Sequence, residues 1–203
     1  KLLRKLFAGK KSAKNTQENA ANTDRDSRLE VPLLEHIPDD ELQRLNSLLP
    51  WSAYVIDSKG RVFGAPYSDN KRNLPQTIPD YRIELLEKRF SLHGKSVLEA
   101  GCFEGIHTTA LAQCGANVSA FDGRIENVVK TLVRCNLFGV EAKIFYWNLE
   151  KETPKVVADS YQLLHHVGVL YHLSDPIGHL EQILKLIEHG LMLDTHVADG
   201  SDM

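Results

Sequence analysis

The sequence contains few cysteines, and their positions do not indicate metal binding. Its 203 residues include three, Cys102, Cys114 and Cys135, whose separations match no metal-binding motif. An odd, small number of cysteines is typical of a reducing compartment, where thiols stay free. We therefore expect a cytoplasmic protein without a disulfide framework.

Long apolar runs and a strong net charge are also missing. No stretch reaches the roughly 18 apolar residues of a membrane-spanning helix, and no apolar segment of a secretion signal is present. The formal net charge is −3, too small for an overall field that attracts nucleic acid. The length allows one domain with a sizeable core and an appendage. Because the chain begins with Lys1 instead of methionine, we expect it to be a piece of a longer protein.

Residues 1–30 are polar and begin with a basic segment. The first fourteen residues contain six lysines and arginines and no acidic residue. This composition predicts a flexible, solvated tail. An alternative remains open, because the apolar residues at positions 2, 3, 6 and 7 could form one face of a basic helix that binds an anionic membrane surface or a partner.

Residues 31–94 are predicted to form an N-terminal extension built from helices and a hairpin. Acidic residues open the first helix, and Asp39 is its expected N-cap. The hairpin is indicated by two apolar runs that flank a Ser-Lys-Gly turn. The predicted elements are a helix at 38–48, strands at 53–57 and 61–64, and a helix at 79–90.

Residues 95–203 alternate between strand-like and helix-like patterns. Alternating units imply a parallel sheet with helices on both faces, the doubly wound, Rossmann-like α/β architecture. We predict strands at 96–100, 117–121, 142–146, 161–164 and 191–195, and helices at 106–114, 124–138 and 176–187.

A turn with two glycines, Gly101 and Gly105, joins the first of these strands to the next helix. Glycine allows the backbone to approach a ligand closely, and a helix start offers N–H groups without partners. Phe103 occupies the middle-glycine position of the dinucleotide fingerprint, where a diphosphate would meet its bulky side chain. Glu99, two residues before the first glycine, suits a ligand that carries an amine.

Asp122 lies at the end of the second predicted strand. Its distance from Gly101 is close to the roughly 20 residues that, in nucleotide-binding α/β folds, place an acidic side chain against a ribose diol. We expect its carboxylate to accept hydrogen bonds from ribose hydroxyls.

The pattern Glu99-x-Gly101-x-x-x-Gly105 with Asp122 resembles the class I S-adenosylmethionine-dependent methyltransferases. Residues 168–176, which begin Gly-Val-Leu-Tyr-His, are similar to a subgroup that includes the tRNA wobble-uridine carboxymethyltransferases. The resemblance spans roughly residues 95–199 and implies S-adenosylmethionine as the cofactor. It also implies two further strands, so we expect a sheet that is truncated after its fifth strand.

The resemblance also implies the site residues. Glu99 is expected to face the methionine amino group, and Asn148 to contact the adenine or to form a simple turn. The segment after the fourth strand is rich in histidines, which offer general bases near neutral pH, and His107 could face the same pocket. The expected cofactor-binding residues are Glu99, Gly101, Cys102, Phe103, Gly105, Asp122, Asn148, Leu149 and His165. The expected catalytic residues are His172 as first choice, Tyr171 and His166, and no metal is expected.

Three functions follow as hypotheses. The first is methyl transfer to an oxygen or nitrogen of a small molecule, a sugar or a lipid-linked precursor. The second is transfer to a tRNA wobble uridine, which rests on the similarity at residues 168–172. Against it, the excess of basic residues is confined to the start of the chain, whereas RNA binding normally needs a basic face. The third is a cofactor-binding module without activity.

Overall fold

A computed structural model of the chain describes residues 34–65 and 74–197. The predicted basic tail at 1–30, with its alternative of a membrane-surface helix, lies outside the described residues. Within the described residues, no helix combines the length and apolar character needed to cross a bilayer.

The N-terminal extension contains the predicted helices and hairpin. Its elements are α1 (Asp39–Leu48), β1 (Tyr54–Ile56), β2 (Val62–Gly64) and α2 (Tyr81–Phe90). The two strands pair antiparallel, as the turn signal predicts. Asp39 is not the N-cap of α1, because Pro38 takes that position without a side-chain hydrogen bond. The Asp39 carboxylate instead lies 3.2 Å from Nη1 of Arg61, beyond the hairpin turn.

The rest of the described chain forms a parallel sheet with interleaved helices. The strands are β3 (Ser96–Ala100), β4 (Asn117–Asp122), β5 (Lys143–Tyr146), β6 (Tyr161–Val167) and β7 (Ile187–Asp194), and the helices are α3 (Ile106–Gln113), α4 (Ile125–Leu137) and α5 (Pro176–Ile183). The strand order is β5-β4-β3-β6-β7, and all four pairings are parallel. The order reverses between β3 and β6, which is where open α/β sheets bind ligands.

Apolar side chains cover both faces of this sheet, because successive residues of a strand point to opposite sides. On one face, Val97 and Leu163 pack with Leu111 of α3 and with α2. On the other face, Leu98 and Leu164 pack with side chains that include Ile183 of α5. The doubly wound α/β fold predicted from the sequence is therefore confirmed.

The boundary between α5 and β7 differs from the prediction. The helix ends at Ile183, a 3₁₀ turn follows at Leu184–Leu186, and the strand begins at Ile187. Apolar residues at 183, 184, 186 and 187 satisfy a helical period, so the pattern alone extends the helix too far. β6 is also longer than predicted, because the polar pair His165 and His166 continues the pairing with β3.

A buried carboxylate connects the extension to the sheet domain. Glu104 is fully buried and accepts hydrogen bonds from the N–H groups of Ser52 (2.8 Å) and Ala53 (3.0 Å). It also accepts one from Nζ of Lys130 on α4 (2.8 Å), which donates in turn to the carbonyl of Pro50 (2.6 Å). Because both charges are buried, removing either one leaves the other uncompensated.

We expect Glu104→Gln to lower the free energy of unfolding by about 3–5 kcal/mol, since Lys130 would stay buried without its counter-charge. Urea denaturation of the two chains measures this difference. The matched control is Glu41→Gln, because Glu41 pairs with Arg44 on the surface (side chains 53% and 72% exposed). The control should change stability by no more than about 0.5 kcal/mol. An equally small loss for Glu104→Gln would contradict the role of Glu104 as an anchor.

Candidate functional site

A cavity of about 910 Å³ opens at the carboxyl edge of the sheet. It lies at the point where the strand order reverses, as expected for a ligand site in a sheet of this topology. Every strand of the large sheet contributes a wall residue at or just after its carboxyl end: Glu99, Asp122, Trp147, Val167 and Asp194.

Most of the predicted site residues lie on the wall of this cavity. From the cofactor-binding set, the wall contains Glu99, Gly101, Cys102, Phe103, Asp122, Asn148 and Leu149. From the catalytic set, it contains Tyr171 and His172. The three predicted residues outside the wall are Gly105, His165 and His166.

The glycine turn fits closely against its neighbours. Gly101 has a φ of +71°, and a Cβ there would meet Cγ2 of Val169 at 2.3 Å. Gly105 has a φ of +80°, and a Cβ there would lie 2.9 Å from Cα of Thr131 on α4. Glycine at 101 thus lets the segment after β6 approach the turn. Glycine at 105 allows the close packing of α4 and is not part of the cavity wall, so its expected contact with the cofactor stays a prediction.

Asp122 organises the turn from the end of β4. Its Oδ2 accepts a hydrogen bond from the N–H of Phe103 (3.0 Å). Its Oδ1 accepts from the N–H of Arg124 (2.9 Å) and from Nδ2 of Asn127 (3.1 Å). An ionised carboxylate offers about four lone-pair sites, so it can still accept from a ligand in the cavity.

Glu99 is a buried carboxyl group whose pKa is shifted toward neutral pH. Only 1% of the residue is exposed, and its Oε2 accepts a hydrogen bond from Oγ1 of Thr108 (2.6 Å). Burial raises the pKa of Glu99 to about 7. A cationic group in the cavity would favour the ionised form of this carboxyl.

A polar network on the wall combines residues that are distant in the sequence. Asp80, the N-cap of α2, contacts Nε2 of His107 through its Oδ2 (2.8 Å) and pairs with Arg82. Nη1 of Arg82 donates to Oδ2 of Asp194 (3.0 Å). Burial by itself would raise the pKa of Asp80. The hydrogen bonds from His107 and Arg82 have a larger combined effect and hold this pKa well below its usual range.

Arg82, His107 and Asp194 line the cavity. Of these, only His107 was expected near the pocket. A local signal that the sequence offers is Asp80 itself, an aspartate directly before α2 and therefore at a position typical of an N-cap.

The two adjacent histidines of β6 lie on opposite faces of the sheet. His165 is buried on the face of α3, with its ring centroid 5.0 Å from that of His107. His166 is buried on the other face, and its Nε2 lies 3.0 Å from Nε2 of His179 on α5. Burial, together with His179, lowers the pKa of His166 to about 4. The predicted catalytic role of His166 therefore has no support from its position, and His165 lies behind the wall.

Tyr171 and His172 lie on the wall in a 3₁₀ turn that follows β6. Their ring centroids are 4.2 Å apart, and the ring of His196 lies 4.8 Å from that of Tyr171. These three side chains give one side of the cavity an aromatic and titratable surface, on the same wall as Asp194.

Comparisons with known proteins identify a family for this chain. The sequence profile of a family described as "Methyltransferase domain" matches residues 71–202. The tRNA U34 carboxymethyltransferase of Sulfurovum sp. (strain NBC37-1) is 31% identical over 131 residues, which are 59% of this chain and 40% of that protein. The ubiquinone biosynthesis O-methyltransferase of Hydrogenovibrio crunogenus is 27% identical over 56% of this chain and 46% of its own length. The chain thus spans half or less of the length of these curated relatives.

A solved structure supports the fold. The N-terminal domain of EvdMO1, crystallised in the presence of SAH and D-fucose, superposes with a TM-score of 0.61. The superposition covers 75% of this chain and 62% of that one at 22% sequence identity. Because the family profile matches more than half of the residues, the chain belongs to the methyltransferase domain family.

Proposed function

We propose that this chain binds S-adenosylmethionine in the cavity and transfers its methyl group to an oxygen or nitrogen of a small molecule. One observation carries the proposal. The carboxylates of Glu99 and Asp122 stand at the carboxyl ends of two paired strands and line the same cavity. The Glu99 carboxylate suits an amine, and the Asp122 carboxylate suits a pair of hydroxyls. S-adenosylmethionine carries an amino group and a ribose diol.

The cofactor is proposed to lie across the glycine turn. Asp122 would accept hydrogen bonds from the ribose hydroxyls, and Glu99 would face the methionine amino group. Asn148 and Leu149, which follow β5 on the same wall, would contact the adenine. SAH is bound in a crystal structure of the EvdMO1 domain, which has a similar fold, and this supports the choice of cofactor.

The reacting methyl is proposed to face Tyr171 and His172. When bound, the cofactor would supply an activated methyl group, and its carbon–sulfur bond would break as the acceptor atom takes the methyl carbon. His172 would accept the acceptor's proton on its imidazole. Holding donor and acceptor in line supplies most of the rate, and the base adds to it.

We propose a small, hydroxylated acceptor. Pockets for drug-sized ligands measure roughly 300–1,000 Å³, so a cavity of about 910 Å³ is at the large end of this range, which favours a small acceptor beside the cofactor over a bulky one. The name of the ubiquinone biosynthesis O-methyltransferase indicates transfer to an oxygen in that relative, and D-fucose, present with the EvdMO1 domain, is a small hydroxylated molecule; both favour an acceptor of this class.

A tRNA wobble uridine is the second candidate. The names of several relatives favour it, as does the similarity at residues 168–172. Against it, the arginines on the described wall are Arg82 and Arg124, and Arg82 is already shared by Asp80 and Asp194. Formation of SAH with a panel of sugars and phenols, compared with a tRNA transcript, discriminates the two. Cofactor binding without turnover on either substrate class would favour the inactive module.

We expect Asp122→Ala to weaken S-adenosylmethionine binding at least tenfold. The change removes a charged acceptor of two ribose hydroxyls, and each such hydrogen bond contributes roughly 1.5–3 kcal/mol. Calorimetry measures the dissociation constant. The control is Asp175→Ala, which removes another aspartate that accepts from a backbone N–H (Gly178, 2.9 Å) but lies outside the cavity wall. Equal affinities of the Asp122→Ala chain and the unmodified chain would exclude this placement of the ribose.

Cofactor affinity is expected to rise with pH around the pKa of Glu99, about 7. Below that pH the carboxyl is neutral in the free chain, and binding of the cationic amine must first displace its proton. The affinity should therefore fall by up to about tenfold for each pH unit below 7, and it should be highest between pH 7 and the pKa of the cofactor's amine, roughly 8, above which the amine loses its charge. Calorimetry at several pH values tests this. The Glu99→Gln chain should bind the cofactor more weakly, and its affinity should not depend on pH in this range. If the pH dependence persists in this variant, a group other than Glu99 causes it.

We expect His172→Ala to lower turnover by roughly 10²–10⁴-fold, because the general base is lost, while cofactor affinity stays nearly unchanged. The rate of SAH release with an acceptor from the panel measures this. His189→Ala is the control, since His189 is exposed on β7 and is not part of the wall. A parallel loss of binding and turnover in His172→Ala would indicate a packing role instead.

A further inference from the structure

His165 is a buried histidine for which the proposed function has no use. Only 1% of the residue is exposed, and neither ring nitrogen has a hydrogen-bond partner among the described residues. Buried polar groups are almost always hydrogen-bonded, so a side chain with two unpaired nitrogens needs an explanation.

Two further ligand-type side chains surround His165. Glu99 is its register partner on β3, and His107 lies above both on α3. One donor atom from each of the three residues lies within 4.8 Å of the other two. The three form the one cluster of this kind among residues 34–65 and 74–197.

The protonation states of the cluster suit a metal ion. Burial, and then the neighbouring His107, hold the pKa of His165 well below its ordinary value, so this imidazole is neutral and presents a lone pair. The Glu99 carboxyl, with its pKa raised to about 7 by burial, would become fully ionised beside a dication. Thr108 donates a hydrogen bond to Oε2 of Glu99 (2.6 Å), which holds the carboxylate in position and leaves it lone pairs for a metal ion.

The surroundings of His107 resemble those of a metal ligand. Its Nε2 lies 2.8 Å from the Asp80 carboxylate, so Nδ1 is the nitrogen left for the cluster. Metal-bound histidines usually donate their second N–H to a carboxylate, which orients the ring and increases its basicity. Asp80 is itself held by the N–H of Arg82 (2.9 Å) and by the guanidinium of the same residue.

We propose that Glu99, His107 and His165 bind a divalent transition metal ion, for which Zn²⁺ is the best match. Two imidazole nitrogens and one carboxylate oxygen are a ligand set that zinc accepts while keeping a further coordination position open. Glu99 and His107 line the cavity, so the open position faces it. Ligand distances of about 2.0–2.2 Å require the three side chains to move inward on binding.

The metal site is independent of the proposed methyl transfer, since it follows from the three side chains alone. One consequence does rest on the proposed function. A metal ion on Glu99 would compete with the amino group of the cofactor and weaken its binding. Titration with zinc alone, without cofactor, therefore keeps the two proposals separable.

The test is a calorimetric titration of the untagged chain with Zn²⁺, repeated with Co²⁺ and followed by visible absorption. We expect one equivalent to bind and to raise the melting temperature. Glu99→Gln, His107→Ala and His165→Ala should each weaken binding at least tenfold, and Asp80→Asn should weaken it about 10–100-fold. The exposed-histidine control, His189→Ala, should leave the affinity unchanged.

Absence of binding to the untagged chain would overturn the site, as would zinc binding that survives the changes at Glu99 and His107. A thiolate charge-transfer band in the Co²⁺ complex would also overturn it, because it would assign the metal to a cysteine such as Cys102. Circular dichroism shows whether His165→Ala folds. If it does not, the variants at Glu99 and His107 still decide the outcome.

Discussion

The structure of the site depends on the carboxylate of Asp122. It accepts hydrogen bonds from the N–H groups of Phe103 and Arg124 and from the side chain of Asn127, and so ties the glycine turn to the end of β4 and the start of α4. Phe103 has a φ of +50°, which is unfavourable for a residue with a side chain. The bond from its N–H to Asp122 helps to hold the turn in this conformation, with Gly101 against Val169.

Charge balance is the second constraint on the cavity. Carboxyl groups from three strands line its wall, and burial disfavours the charged form of Glu99. Arg82 offsets part of this charge through its contacts with Asp80 and Asp194, while Glu99 accepts its hydrogen bond from the neutral hydroxyl of Thr108 and has a pKa that burial raises. A wall of this kind suits a ligand with cationic groups, such as the amine and sulfonium of the proposed cofactor.

Local signals in the sequence predicted much of the fold and part of the site. The bounds of β3 match the prediction, and the turn from Glu99 to Gly105 lies where its glycines indicate. Asp122 reaches the cavity because parallel strands bring their carboxyl ends to one edge. The end of α5 was predicted wrongly, because apolar residues continue at helical spacing through the 3₁₀ turn into β7.

By itself, the sequence determined the alternation of strands and helices and the positions of Gly101 and Asp122, because these features are local. Tertiary structure alone decided that His165 faces α3 and His166 faces α5, since the helices that cover a strand determine the surroundings of each of its faces. It also brought Asp80, His107 and Asp194 together. Their separation along the chain follows no period, so only the packing of α2, α3 and β7 around one cavity could reveal their contact.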